Sequence, residues 1–353
     1  MSAESLPQAM GPEHLTDVLR RSGALGEGRV RGVAVESSRT MVISRITRLR
    51  LDYEGEAPGA PGLLFFKTGL PEHAGSGWMS GRQEVAFYKT IAPLMSQRML
   101  PRCFDAHWEP ATNEWSLLLE DLKDSHVIAT NWPIPPTFEQ CQRILRAWAG
   151  FHAEWWDDPR LGAGVGSWLD TDTKEREKKG FTELFARFVD RFGDRLPPER
   201  RALYERLLGA GRHLWARYDS HRNLTLVHGD AHFWNCFLPK DEGDDVRLFD
   251  WDAWRVGLSS DDLAYMMAMH WYPDRRRRFE RPLLDHYHAA LVEHGVRGYD
   301  RSALDDDYRL SVLGLIGRPV WQAMNGLPPV IWWNNLERIL TAVDDLRCGE
   351  LMS

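Results

Sequence analysis

The chain has 353 residues, 43% of them hydrophobic and 27% charged, a length suited to two cores and a balance ordinary for soluble globular proteins. A net charge of −7 argues against non-specific nucleic-acid binding, which needs Lys and Arg in excess to neutralise phosphates. Four widely spaced cysteines without a CxxC pair give neither a zinc ribbon nor a disulfide framework. "MSAESLPQAM" lacks the basic start and apolar run of a secretory signal, and no stretch is apolar enough to span a bilayer. These features predict a reduced, cytoplasmic protein with neither nucleic acid nor membrane as partner.

In chain order, "RVRGVAVESSRTMVISRITRLRLDYEG" reads as strands, with Leu49, Leu51 and Tyr53 alternating with Arg48, Arg50 and Asp52. A Gly/Pro turn, "EGEAPGAPG", leads to the short apolar run "LLFFKTG", which ends on Lys67. After the Gly-rich "HAGSGWMSG", "RQEVAFYKTIAPLM" reads as a helix with Val85, Tyr88 and Ile91 on one side and Glu84 near its start. "EWSLLLEDLKD" is a further buried strand that breaks into charge at Glu120. The first 120 residues thus predict a small sheet-based lobe.

Helices follow. Thr137 with Gln140 forms a capping box, and Phe138, Cys141, Leu145, Trp148, His152 and Trp155 then recur at helical steps. Residues 175–220 read as two helices broken at "GDRLPPE", and the chain beyond about 260 is mostly helical. Residues 121–353 therefore form a second, larger lobe, joined to the first near Leu119–Lys123. The basic run "RRRR" at 275–278 reads as a solvated helix face. Trp155–Trp156 and Trp332–Trp333 cannot each face one way on a helix, so one of each pair belongs to a core. Trp271, Trp321 and Trp333 are candidates for a pocket wall.

Between apolar flanks lies "LVHGDAHFWNCFLP", which crowds His228, Asp230, His232 and Asn235 together. Fifteen residues after Asn235, "VRLFDWD" carries Asp250 at the end of an apolar strand, and the turn "PKDEGDD" separates the two. A hairpin would place Asn235 and Asp250 at one end of adjacent strands. Phosphoryl transfer needs a carboxylate to accept the proton of the attacking hydroxyl and oxygen ligands for Mg²⁺ on the nucleotide phosphates. Asp230 suits the first role, and Asn235 and Asp250 the second.

The H-x-D-x-x-x-x-N spacing followed by a strand and an Asp resembles the catalytic core of protein kinase-like folds. Gly229 after the histidine, "DWD" at 250–252 and "DDLAYMM" at 261–267 resemble the aminoglycoside phosphotransferase and choline kinase branch, including the ecdysteroid kinase-like group. The resemblance implies an α+β, bilobal fold with an antiparallel N-terminal sheet carrying one helix and a larger helical C-terminal lobe. It implies ATP, or equally GTP, with Mg²⁺, and a small-molecule hydroxyl acceptor. Lys67 would meet the α- and β-phosphates with Glu84 as its ion-pair partner. Backbone groups around Glu120 and Leu122 would meet the base, and Asp262 would brace the catalytic loop. A G-x-G-x-x-G loop is absent, so Ser37 and Ser38 in "ESSRT", taken as lying between the first two strands, are assigned to phosphate contact. His228 reads as a loop-holding residue.

Two other functions fit parts of the chain. A metal-dependent hydrolase would use His228, Asp230 and His232 as ligands, but such enzymes carry further histidines at fixed spacing, which are missing here. A nucleotide-binding pseudokinase would lack a catalytic residue, and Lys67, Glu84, Asp230, Asn235 and Asp250 are all present. Acceptor identity and oligomeric state are not encoded in these motifs.

Overall fold

Twelve-residue and eleven-residue strands, β1 (Arg29–Thr40) and β2 (Ser44–Glu54), open the sheet of the first half. The computed structural model describes residues 8–41, 44–70, 81–95, 99–241 and 245–352, so most of the Gly-rich run 73–81 lies outside the described residues. The chain forms two compact units. One comprises Met1–Val127 with Phe237–Asp252, and the other comprises Ile128–Cys236 with Ala253–Ser353.

In the first unit, β1, β2, β3 (Leu63–Gly69), β5 (Glu114–Glu120) and β4 (Cys103–Glu109) lie in that order, each pair antiparallel. The alternation expected of β2 is present: Leu49 and Leu51 are buried while Arg50 and Asp52 are exposed. A helix not anticipated from the sequence, α1 (Pro12–Arg21), covers this face of the sheet. Its Leu15, Val18 and Leu19 pack with Val30, Leu49, Leu64, Phe66 and Leu118. The signals were there to read: apolar residues at i, i+3 and i+4, Pro12 in the first turn beside Glu13, and Arg20 and Arg21 in the last. Because Leu64 and Phe66 face α1, period-two geometry sends Lys67 to the opposite face of the sheet. There α2 (Arg82–Ala86) runs on through a wider turn at Phe87–Ile91 and buries Val85, Phe87, Tyr88 and Ile91.

The placement of Ser37 and Ser38 differs from the expectation. They belong to β1 itself, opposite Arg48 and Thr47, and Ser38 Oγ lies 3.2 Å from Thr47 Oγ1. A bulge between Val35 and Ser37 lets the strand continue through the polar run, and the turn to β2 begins only at Met41. A smaller sheet places β8 (Cys236–Pro239) between β6 (His126–Ile128) and β9 (Arg247–Leu248), so the expected pairing of "CFL" with "VRLF" is observed.

The second unit is helical around one short ribbon, β7 (Thr225–Val227) paired antiparallel with β10 (Arg255–Gly257). Its first helix, α3 (Phe138–Glu154), starts on the Thr137–Gln140 capping box and buries Cys141, Leu145, Trp148 and His152. Helices α4 (Thr171–Phe192), α5 (Pro198–Gly209) and the short α6 (Ala216–Asp219) precede the ribbon. After it come α7 (Ser259–Ala264), α8 (Pro273–Glu293), α9 (Arg301–Gly314), α10 (Gly317–Met324) and α11 (Pro329–Asp345). Trp155 and Trp332 are buried and their neighbours Trp156 and Trp333 only half so, as helix geometry requires. The basic run on α8 is a solvated face only at Arg277 and Arg278, which are exposed. Arg276 is buried between Glu280 and Asp345, Arg277 also binds Asp345, and Arg275 lies over the Trp271 ring. Acids from α8 and α11 converge on that turn, which a reading of α8 alone does not reveal. No helix among the described residues is long and apolar enough to cross a membrane.

The packing of α1 makes a direct prediction. Leu19→Ala should lower the stability of the first unit by about 2–5 kcal/mol, the usual cost of a large-to-small change in a closed core. Urea denaturation measures this, and a loss below about 0.5 kcal/mol would show that α1 does not anchor the sheet.

Candidate active site

Lys67 lies within β3 on the face away from α1 and is only 7% exposed. Its Nζ donates to Glu84 Oε2 at 2.6 Å and to Asp250 Oδ1 at 2.6 Å. Glu84 comes from α2, whose start is fixed by Gly81 at φ +85°, where a Cβ would stand 1.9 Å from the Trp115 ring. Gly81 N donates to Asp252 Oδ1 at 2.5 Å, so the second acid of the "DWD" segment holds the start of that helix. Between the two acids, Trp251 is fully buried and stacks on Phe87 with ring centroids 4.0 Å apart. Asp250 itself adopts φ +71°, a left-handed conformation that Asp tolerates better than most residues.

The electrostatics of this cluster are unbalanced. Ligand oxygens of Glu84, Asp250 and Asp252 lie within 4.8 Å of one another, and Lys67 hydrogen-bonds to the first two. Burial alone would push Lys67 down, but Asp250, Glu84 and Asp252 outweigh it and hold the ammonium above its ordinary range. Burial pushes Glu84 up to about 8 against the pull of Lys67, with Asp250 and Asp252 adding repulsion. Asp252 is likewise raised, by burial first, and its Oδ2 is buried with no hydrogen-bond partner. Three carboxylate groups with oxygen ligands and surplus negative charge fit a hard divalent cation. No other group of His, Cys, Asp and Glu among the described residues converges in this way. Asp252 was not chosen from the sequence, where it is indistinguishable from a turn cap.

In the second unit, the loop after β7 is held by Asp262 of α7. This fully buried carboxylate accepts from His228 N at 2.7 Å and Gly229 N at 2.8 Å, and it meets His152 Nε2 at 3.1 Å. Burial opposes its charge, yet His152 and the His228 contacts together hold its carboxyl below the usual carboxylate range. Gly229, at φ +79°, is required because a Cβ there would approach the Ala253 carbonyl oxygen to 2.2 Å. His228 is fully buried, its Nδ1 accepts from Asp230 N at 3.2 Å and its ring meets Trp148 edge-on, all of which hold the loop.

Asp230 emerges from this scaffold with its side chain 29% exposed. Asn235 Nδ2 donates to Asp230 O at 3.0 Å and to its Oδ2 at 3.2 Å, so these two are brought together. Tyr265 lies close to the Asp230 carboxylate, and burial, then that charge, pushes its phenol up. His232 Nε2 stands 3.7 Å from Asp230 Oδ2, and the ring of its neighbour His270 is pushed down to about 3 by burial, then by His232. His228, Asp230 and His232 do not converge as metal ligands.

Glu120 and Leu122 lie where β5 ends. Glu120 N donates to Arg102 O at 2.8 Å, and the Leu122 carbonyl accepts from Ser125 N and His126 N. Between them the side chain of Asp121, 1% exposed, pairs with Arg48 of β2 and accepts from Lys123 N at 2.9 Å. This fixes the backbone of the segment, a role the sequence did not signal. Ser37 and Ser38 stand in the β1–β2 ladder, so none of the contacts of the Lys67 cluster described above involves them.

Residues 162–297, well under half of the chain, match the model of the ecdysteroid kinase-like family, a span that includes His228, Asp230, Asn235, Asp250 and Asp262. Among curated proteins none matches by sequence. A Ralstonia eutropha protein provisionally assigned as an aminoglycoside phosphotransferase is similar in structure, with a TM-score of 0.60 at 13% identity over 97% of this chain and 98% of that one. An ethanolamine kinase of Plasmodium vivax gives 0.56 at 10% identity over 90% and 84%. A choline kinase of Streptococcus pneumoniae gives 0.52 at 11% over 94% and 98%. At such identities the likeness is one of fold. The fold is that of the protein kinase-like small-molecule kinases, and the resemblance read from the motifs is the one these comparisons return.

The Asp262 anchor predicts an acid limb in stability. Its folded pKa lies below the unfolded value of about 3.9, so its contribution is present above that pH and is lost as pH falls through the folded value. Asp262→Asn should cost about 3 kcal/mol at pH 7 and flatten the stability curve below about pH 4, read by denaturant melts across pH. An unchanged acid limb would place its cause elsewhere.

Proposed function

We propose that this chain is a cytoplasmic small-molecule kinase that moves the γ-phosphate of ATP to a hydroxyl of a small alcohol. The observation that carries the proposal is Lys67, buried between Glu84 and Asp250. A buried ammonium clamped by two carboxylates is held in one place and one charge state, as a phosphate contact requires. In this reading Lys67 contacts the α- and β-phosphates and Glu84 positions it. Backbone groups of Glu120 and Leu122 meet the adenine, and Ser37 and Ser38, on the edge strand, reach phosphate through hydroxyls and backbone N–H.

Asp230 is the residue that orients the acceptor hydroxyl and takes its proton. Its partly exposed carboxylate, steadied by Asn235, suits that role. Asn235 and Asp250 would hold Mg²⁺, with Asp252 beside Asp250 adding charge. Mg²⁺ supplies charge neutralisation on the nucleotide phosphates. Asn235 turns its amide nitrogen to Asp230, which leaves its carbonyl oxygen as the atom suited to a cation. Phosphoryl transfer demands positioning and electrostatics more than covalent chemistry, which accords with two rigid clusters and no activated nucleophile. The hydrolase reading loses support because the His228 ring is committed to the loop.

Calorimetric titration of ATP with and without Mg²⁺ tests the proposal. Binding should depend on Mg²⁺, and Asp250→Asn should abolish that dependence. Absence of ATP and GTP binding under all conditions would overturn the reading. Asp230→Ala should leave nucleotide binding intact and slow ADP release with an acceptor by about a hundredfold to ten-thousandfold. An unchanged rate would remove Asp230 from the role of base.

A further inference from the structure

A cavity of ≈450 Å³ lies wholly within the second unit, and Gly229, the residue before Asp230, forms part of its wall. Four aromatic side chains, Phe181, Trp215, Tyr265 and Trp321, give it flat apolar sides. Its charged lining is almost entirely basic. Lys174, Lys178, Arg255 and Arg318 face a single acid, Glu177.

Most of those charges are already compensated. Lys174 pairs with Glu177 at 3.1 Å, Lys178 with Glu175 at 2.9 Å, and Arg255 with Asp261 at 3.0 Å. Arg318 is different. Among the described residues no carboxylate pairs with it, and its Nε is buried without a hydrogen-bond partner. Its guanidinium lies 5.1 Å from the Trp321 ring centroid and 5.8 Å from that of Tyr265, whose phenol in turn lies close to Asp230.

We infer that this cavity takes the phosphate acceptor, and that the acceptor is a flat hydroxylated organic acid rather than an amino alcohol or an aminoglycoside. The inference rests on the kinase reading only for the word acceptor; the charge preference stands on the cavity itself. A cationic ligand would find no free carboxylate on these walls, because Glu177 is tied to Lys174. An anionic ligand would find in Arg318 a fork of donors with no anion opposite it, supported by aromatic faces that shed water from the contact. Tyr265 links the two ends of the site: its phenol lies close to both the Arg318 guanidinium and the Asp230 carboxylate, so an acid group on Arg318 sits one side chain away from the residue that would receive the hydroxyl proton.

A matched pair of fluorescent probes separates charge from shape: 4-methylumbelliferyl β-D-glucuronide carries a carboxylate, and the glucoside is its neutral counterpart. Fluorescence titration of the full chain should show the glucuronide binding about tenfold to a hundredfold more tightly, the range of one charge-assisted contact. Arg318→Met should bring the glucuronide to the level of the glucoside, and Arg318→Lys should restore part of the difference. Equal binding of the two probes, binding of neither, or a preference that survives Arg318→Met would overturn the inference. The comparison on the unaltered protein decides even where a variant fails to fold. Acid preference in binding without ADP release from any acceptor would sink the kinase reading and keep the cavity assignment. ADP release with choline or neutral alcohols and no preference for the acid probe would do the reverse.

Discussion

One ammonium among three carboxylates organises the first unit. Lys67 can be buried only because Glu84 and Asp250 each lie 2.6 Å from its nitrogen, and those acids can approach one another only because Lys67 is there. Each partner arrives on a different element: β3 carries the lysine, α2 the glutamate, and the segment after β9 the aspartates. The cluster therefore constrains the register of all three. Gly81, Trp115 and Trp251 make sense as the surrounding geometry, a helix start with no room for a Cβ and an indole that pins the "DWD" turn to Phe87. Buried ion pairs contribute little net stability, since desolvation offsets the attraction. An arrangement with more acids than bases is less favourable still, which points to function as the reason for keeping it.

The Asp262 cluster follows the opposite logic. One buried carboxylate accepts two backbone N–H groups and meets one histidine, so its charge is satisfied where it stands. Nothing there is left over to bind a ligand. The result is a rigid loop on which Asp230 alone keeps part of its carboxylate in solvent. Surplus charge marks where an ion or phosphate is wanted, and balanced charge marks scaffold.

The same distinction applies to the arginines of the second unit. In the run on α8, Arg277 and Arg278 are solvated, while Arg276 is buried, matched by Glu280 and Asp345, and belongs to the packing. A solitary arginine on α10, inconspicuous in the sequence, is the one without an acid opposite it among the cavity residues described. Counting charges in a run therefore says less than asking which of them is answered.

The motif around Asp230, its spacing to Asn235 and Asp250, the strand carrying Lys67 and the capping box of α3 were all legible in the sequence. Each depends on neighbours a few residues apart or on a chemistry that tolerates few residue types. The fold class followed from them. Helix α1 is legible too, through the helical spacing of Leu15, Val18 and Leu19, although its ten residues stand ahead of a much stronger strand pattern. The placement of Ser37 and Ser38 was not legible, because a bulge decides whether a polar run ends a strand or continues it, and a bulge is a property of two paired strands. The roles of Asp252 and Asp121, the pairing of Arg276 with Asp345 and the isolation of Arg318 depended on tertiary structure for one reason. Whether a charge is paired is decided by groups tens to hundreds of residues away in sequence, and local pattern carries no record of them.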